Sequence, residues 1–171
     1  MNNQAFIDGQ NLYLGTEHAK PAWHIDFRKF RVYLKEKYGV EKAYYFVGAY
    51  DSVVDARGLY ESLQQAGYIL IFREHSDSAI SKKKGNVDTD IVFTVMKHLV
   101  EKERFDKVVL VSGDGDYFRL VNYLIQKNKF LKLLSPSKKS TSSLYAQRTA
   151  DIYRDFLDSA SIKRKIEYKK R

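Results

Sequence analysis

Short apolar runs alternate along the chain with longer stretches in which apolar residues recur at three- and four-residue spacing, and no internal repeat is visible. The first run is 5–8 (AFID), followed by a loop. Residues 26–38 place Phe27, Phe30, Val32, Tyr33 and Leu34 roughly along one side of a helix. Residues 42–50 are aromatic-rich and predict a second strand. A helix is expected over 55–66 with Gly67 as its stop, and a third strand over 68–74. Beyond a polar linker, 76–85, the segment 88–103 carries Ile91, Val92, Val95, Met96, Leu99 and Val100 at helical spacing. Residues 107–112 show no polar alternation, which is how a strand buried on both faces reads. After it come a helix over 116–126, a fifth strand over 130–134 and a short helix over 140–146 introduced by serine and threonine. Residues 152–157 read as a last strand or a helical turn.

Strand alternating with helix predicts an α/β fold with a mostly parallel sheet of five or six strands, covered on both faces. Ligand sites in such sheets form beyond the carboxyl ends of the strands, and the acidic motifs fall there. Asp8 closes the first strand in FIDGQN, Asp114 and Asp116 follow the fourth in VSGDGD, and Asp88 opens the helix before it. Carboxylates this numerous in one pocket repel one another unless a divalent cation neutralises them, and hard oxygen donors suit Mg²⁺ or Mn²⁺. Taken singly, each acid has a plainer explanation: Asp88 or Asp116 as a helix cap, Asp8 as a turn residue. Asn11 and Ser112 offer an amide and a hydroxyl at the same rim, with loop satisfaction as the competing role. Asp90 lies two residues past Asp88, on nearly the opposite side of a helix.

Composition narrows the chemistry. The 171 residues fit one domain and contain no cysteine and only four histidines, so disulfides and thiolate metal sites are excluded and any metal site must rest largely on oxygen. The N-terminus shows no secretory pattern and no apolar run approaches the ~20 residues of a membrane span, so a cytoplasmic protein without membrane attachment is expected. The formal charge is +9; residues 161–171 hold six Lys or Arg against one Glu, a net +5 that leaves +4 for the rest. Domain organisation is accordingly read as a domain over 1–160 and a basic tail over 161–171, in which Lys163, Arg164 and Lys165 join Lys82, Lys83 and Lys84 as candidate nucleic-acid contacts. Lys127, Lys129, Lys132, Lys138 and Lys139 add to the basic character.

FIDGQNL at 6–12, KGNVDTDI at 84–91 and SGDGDY at 112–117, in that order, resemble the NYN domain family, the LabA-like branch of the PIN-like metal-dependent ribonucleases. The resemblance spans residues 5 to about 157. It implies a three-layer α/β/α PIN-like domain and an acidic pocket that binds Mg²⁺ or Mn²⁺ to hydrolyse phosphodiester bonds, most simply as an endoribonuclease. Carried over by position, the metal-binding acids are Asp8, Asp88, Asp114 and Asp116, with Asn11 and Ser112 beside them in the catalytic set. Thr94 stands where relatives carry a further acid, a departure that weakens the case for a second metal. In the expected mechanism Asp8, Asp114 and Asp116 hold one cation and Asp88 holds a second or orients water. Lys84 is expected near the scissile phosphate. Tyr13, Trp23 and Tyr117 are candidates to stack on unpaired bases, which favours single-stranded RNA as partner; packing is the competing role for Trp23 and Tyr117.

Two other classes compete. The same fold can be a catalytically weak or inactive RNA-binding, regulatory NYN module, supported by Thr94. A small-molecule phosphatase also places acids at strand ends, but Asp8 is followed by Gly9 and Gln10 rather than by a second aspartate two residues on. A homodimer is left open.

Overall fold

The computed structural model describes residues 1–47, 56–72 and 87–169. Within them run β1 (Asn3–Asp8), α1 (Gly9–Thr16), α2 (Phe27–Tyr38), β2 (Val40–Phe46), α3 (Ala56–Gln65), β3 (Ile69–Ile71), α4 (Val87–Val100), β4 (Val108–Val111), α5 (Phe118–Gln126), β5 (Phe130–Ser135), α6 (Ser143–Arg148), β6 (Arg154–Phe156) and α7 (Ala160–Ile166). The strands form one sheet in the order β3-β2-β1-β4-β5-β6, with every neighbouring pair parallel. The α/β class and the six-stranded parallel sheet are therefore as the alternation of runs implied. No helix among the described residues is long and apolar enough to cross a membrane.

All six residues of β1 are buried, because both faces of the sheet are covered. On one face Ala5 and Ile7 meet Leu12 of α1, Phe30 and Leu34 of α2, Leu63 of α3 and Ile166 of α7. On the other, Phe6 and Leu110 meet Ile91 and Val95 of α4, Val121 and Leu124 of α5, and Tyr145 of α6.

Local signals set most element ends. The Asp26 carboxylate caps α2 by accepting from the Lys29 N–H at 3.1 Å. Gly67, the expected stop after α3, has φ +88°, a conformation in which a side chain would be strained. The run 152–157 resolves into both of its readings, a 3-10 turn at Asp151–Tyr153 and then β6. The helix expected from Asp116 instead begins as a 3-10 turn, Gly115–Tyr117, capped by the Asp114 carboxylate, and becomes α-helical at Phe118. Of the expected strands 42–50 and 68–74, residues 48–50, 73 and 74 lie outside the described residues.

Two helices depart from the sequence pattern. Residues 9–16, expected as a loop, form α1: the Asp8 carboxylate accepts from the Asn11 N–H at 2.9 Å, and Gly9 lets the first turn press on β2. A Cβ at Gly9 would stand 2.6 Å from both the Phe46 carbonyl oxygen and the Tyr45 ring. The basic segment 161–171 begins inside α7, where Ile162 and Ile166, four residues apart, turn inward and Ile166 is fully buried. The Asp26 N–H donates to the Ile166 carbonyl at 2.8 Å, and Ile25 bridges Glu167. Truncation at residue 160 would open the core as well as remove charge.

Candidate functional site

Strand order reverses between β1 and β4, the place where a parallel sheet opens a crevice at its carboxyl edge. Asp8 ends β1, and the segment 112–116 follows β4. Helix α4 runs antiparallel to the strand it precedes, so its first turn, with Asp88, also reaches that edge. Three remote stretches of sequence thus meet where the topology provides a cleft.

One carboxylate oxygen from each of Asp88, Asp114 and Asp116 lies within 4.8 Å of the other two. Asp88 is buried, Asp114 half-buried and Asp116 exposed, so the group opens outward through Asp116. Asp8 stands behind it, 3% exposed. Its Oδ1 accepts from the Asn11 N–H at 2.9 Å and its Oδ2 from the Tyr117 hydroxyl at 3.0 Å. Burial pushes the Asp8 carboxyl up to about 6; the Asn11 N–H and Tyr117 hydroxyl oppose the shift, and the charges of Asp88 and Asp114 add to it. The grouping differs from the expected one: Asp88 joins Asp114 and Asp116, and Asp8 is the acid set apart.

Asn11 and Ser112 brace the rim. Asn11 Oδ1 accepts from the Gly113 N–H at 2.8 Å, tying the exit of β1 to that of β4. Ser112 is fully buried and its Oγ accepts from the Asp114 N–H at 3.1 Å. Asp90 is outside the group of converging oxygens; its backbone carbonyl accepts from the Thr94 hydroxyl at 2.7 Å, so Thr94 is engaged within α4.

Tyr117 matters more than its sequence reading suggested, and differently. It is completely buried, as Trp23 nearly is at 4%, so neither ring presents a face to a base. Instead the Tyr117 hydroxyl serves both Asp8 and Asp88. Burial, followed by those two negative charges, holds this phenol far above its ordinary value, so it remains a neutral donor. Tyr145, which the sequence reading did not single out, donates its hydroxyl to the Asp114 carbonyl at 2.6 Å and fixes the turn that carries the acids. Its one sequence signal is helical spacing in a serine-rich stretch; its partner lies 31 residues away. Tyr13 is half-buried, with its hydroxyl 3.2 Å from His18 Nε2. We expect Tyr117→Phe, which takes from the buried Asp8 carboxylate its hydroxyl donor, to cost about 1–3 kcal/mol in a denaturant titration of metal-free protein. An unchanged midpoint would mean the hydroxyl is dispensable.

Among the described residues, the basic candidates of α7 do not share one groove. Lys82, Lys83 and Lys84 lie outside the described residues. On α7, Lys163 sits 5.1 Å over the Trp23 ring, Arg164 is exposed, and Lys165 lines a separate groove with Arg28 and Lys37. Lys129 and Lys132 donate to the carbonyls of Phe105 and Ile152, so both serve the fold itself.

The donor set fits a hard divalent cation. Three convergent carboxylate oxygens, an open side at Asp116 and a fourth carboxyl held unusually high by burial and its acidic neighbours make a site that positive charge would stabilise.

The NYN domain family matches residues 4–157. The chain is 28% identical over 170 residues to the low amplitude and bright protein LabA of Synechococcus elongatus, covering 95% of this chain and 87% of that one. Its fold is shared with a protein of unknown function from Vibrio parahaemolyticus, with a TM-score of 0.74 and 21% identity over 98% of this chain and 96% of the other.

Proposed function

The chain belongs to the NYN domain family, and from that premise we propose that it is a metal-dependent ribonuclease that hydrolyses phosphodiester bonds of single-stranded RNA at the carboxyl edge of its sheet. The observation that carries this reading is the meeting of the Asp88, Asp114 and Asp116 oxygens within 4.8 Å, backed by Asp8. Mg²⁺ or Mn²⁺ bound there would supply Lewis acidity, offsetting charge on the phosphate and acidifying a water nucleophile. Asp88, Asp114 and Asp116 are the residues that would hold it.

The rest of the work falls to the protein's own groups. Asp116, the exposed member, is the one an incoming RNA strand would meet first. Asp8 is held in one orientation by the Asn11 N–H and the Tyr117 hydroxyl and adds negative charge behind the three acids. Asn11 and Ser112 act as positioning residues through the backbone of 113 and 114. The strand order matches that of doubly wound nucleotide-binding sheets, but the N-terminus of α1 is occupied by the Asp8 carboxylate, so a phosphate gains nothing there.

The test is incubation of 5′-labelled single-stranded RNA with the protein and Mn²⁺, then with excess chelator. Cleavage with the metal and none with chelator is expected. The second reading, a binding module that holds RNA without cutting it, has Thr94 in its favour: its hydroxyl is engaged by the Asp90 carbonyl and it brings no carboxylate. RNA retained by the protein yet intact across several sequences would move the assignment to that reading.

A further inference from the structure

We propose that the cavity between the end of α1, the segment 19–23 and the turn 137–140 is a subsite for one nucleotide of the RNA strand, its phosphate held by Lys20, Lys139 and Lys163. The cavity measures about 410 Å³, within the range of roughly 300–1,000 Å³ typical of small-molecule sites. Leu14 and Pro21 supply apolar lining suited to a sugar or base, and the three lysines stand against a single lining carboxylate, Asp158. Among the described residues neither Lys20 nor Lys139 forms an ion pair. Lys163 has its Nζ 5.1 Å from the centre of the Trp23 ring and 3.5 Å from Glu167 Oε1, a pairing that still leaves the cavity with surplus positive charge. Unpaired ammonium groups around an apolar wall are complementary to a phosphate that carries a nucleoside.

The same turn that lines the cavity abuts the acidic rim. The Ser142 N–H donates to the Gly113 carbonyl at 2.9 Å, and a Cβ at Gly113 would come within 3.1 Å of the Ser140 carbonyl oxygen. On the cavity side, Gly15 of α1 packs against Pro136 and Ser140. The Ser137 and Ser140 hydroxyls, 2.7 Å apart, and the Thr141 hydroxyl on the Ser137 carbonyl at 2.6 Å hold the turn in shape. A strand seated in the cavity and continuing over residues 140–142 arrives at Asp114. The geometry thus gives the acidic cluster, among the described residues, a nearby positive site that holds the substrate in place. The proposal rests on the ribonuclease reading for the chemistry at the carboxylates, but not for the binding itself.

The test measures binding of a short 5′-fluorescein single-stranded RNA by anisotropy, in chelator and across a salt series, for the wild type and Lys20→Ala/Lys139→Ala. A control pair, Lys35→Ala/Lys42→Ala, lies at the end of α2 and the start of β2, at the opposite edge of the sheet. The cavity pair is expected to weaken binding about tenfold at low salt and to lower the log–log salt slope by about 0.7, the share of the one phosphate the subsite holds, with the control unchanged. Wild-type affinity and slope in the cavity variant, or no binding by the wild type, overturns the subsite. Assaying the same proteins with Mn²⁺ separates the two ideas. Binding that depends on Lys20 and Lys139 without cleavage sinks the nuclease and supports the subsite; cleavage with binding indifferent to both lysines does the reverse.

Discussion

Asp114→Asn is expected to leave the fold intact and to lower Mn²⁺-dependent cleavage of single-stranded RNA by on the order of 10²–10³-fold, since loss of one charged ligand removes several kcal/mol of transition-state stabilisation at 1.36 kcal/mol per tenfold. Structure should survive because the interactions Asp114 makes within the turn are ones asparagine keeps. Its Oδ1 accepts from the Asp116 N–H at 3.1 Å, and its backbone carbonyl, not its side chain, accepts from Tyr145. The substitution therefore separates chemistry from folding. Matched far-ultraviolet circular dichroism and melting curves establish that the variant is folded, and single-turnover cleavage reads the loss. Equal rates in wild type and variant would remove Asp114 from the reaction.

Asp8→Asn should have the opposite effect on stability. In the metal-free protein the Asp8 carboxyl titrates at about 6 rather than 3.8 because burial disfavours its charge. The folded state therefore binds the proton more tightly than the unfolded chain. That contribution is fully present below about pH 4 and is lost as pH rises from 3.8 to about 6. At 1.36 kcal/mol per pH unit the interval bounds the loss at about 3 kcal/mol. Asparagine keeps an acceptor for the Asn11 N–H and carries no charge. The metal-free variant is expected to melt higher than wild type at pH 7, by up to roughly 6–12 °C at about 2–4 °C per kcal/mol, and to lose this part of the pH dependence. Addition of Mn²⁺ should reverse the ranking, because a cation favours the ionised carboxylates of the wild type and stabilises the variant less. Differential scanning calorimetry at pH 4 and 7, with and without Mn²⁺, measures all of this. A variant less stable than wild type at both pH values without metal would show that the Asp8 charge is no burden.

The features legible in the sequence were local ones. Apolar runs without alternation marked the buried strands, and Gly67 marked a helix end by the φ it must adopt. The acids were legible too, because strands in a parallel sheet all end at one edge and acids at strand ends must therefore gather there. Contacts between remote segments were not. Helix α1 has little periodicity and two glycines, and it exists because Gly9 packs on β2 and Gly15 on Pro136. Helix α7 was hidden by its charge; only the spacing of Ile162 and Ile166 gave it away, and the basic residues around them pointed to a solvated tail. The difference between Lys163 and Lys165 has its origin in the same helix: two residues apart on a helical surface, they turn to nearly opposite sides and so serve different grooves. Nor did composition reveal the burial of Tyr117, since an aromatic beside aspartates reads equally well as a stacking platform or as the donor that two buried carboxylates require.

Whether acids from three distant stretches of chain gather around a hard cation is decided most directly by a crystal grown or soaked with Mn²⁺ and measured at the manganese absorption edge. One anomalous peak ligated by Asp88, Asp114 and Asp116, with Asp8 behind it, is the expected result. A soaked crystal with no peak in the cleft, or with these side chains turned to separate surfaces, would contradict the account.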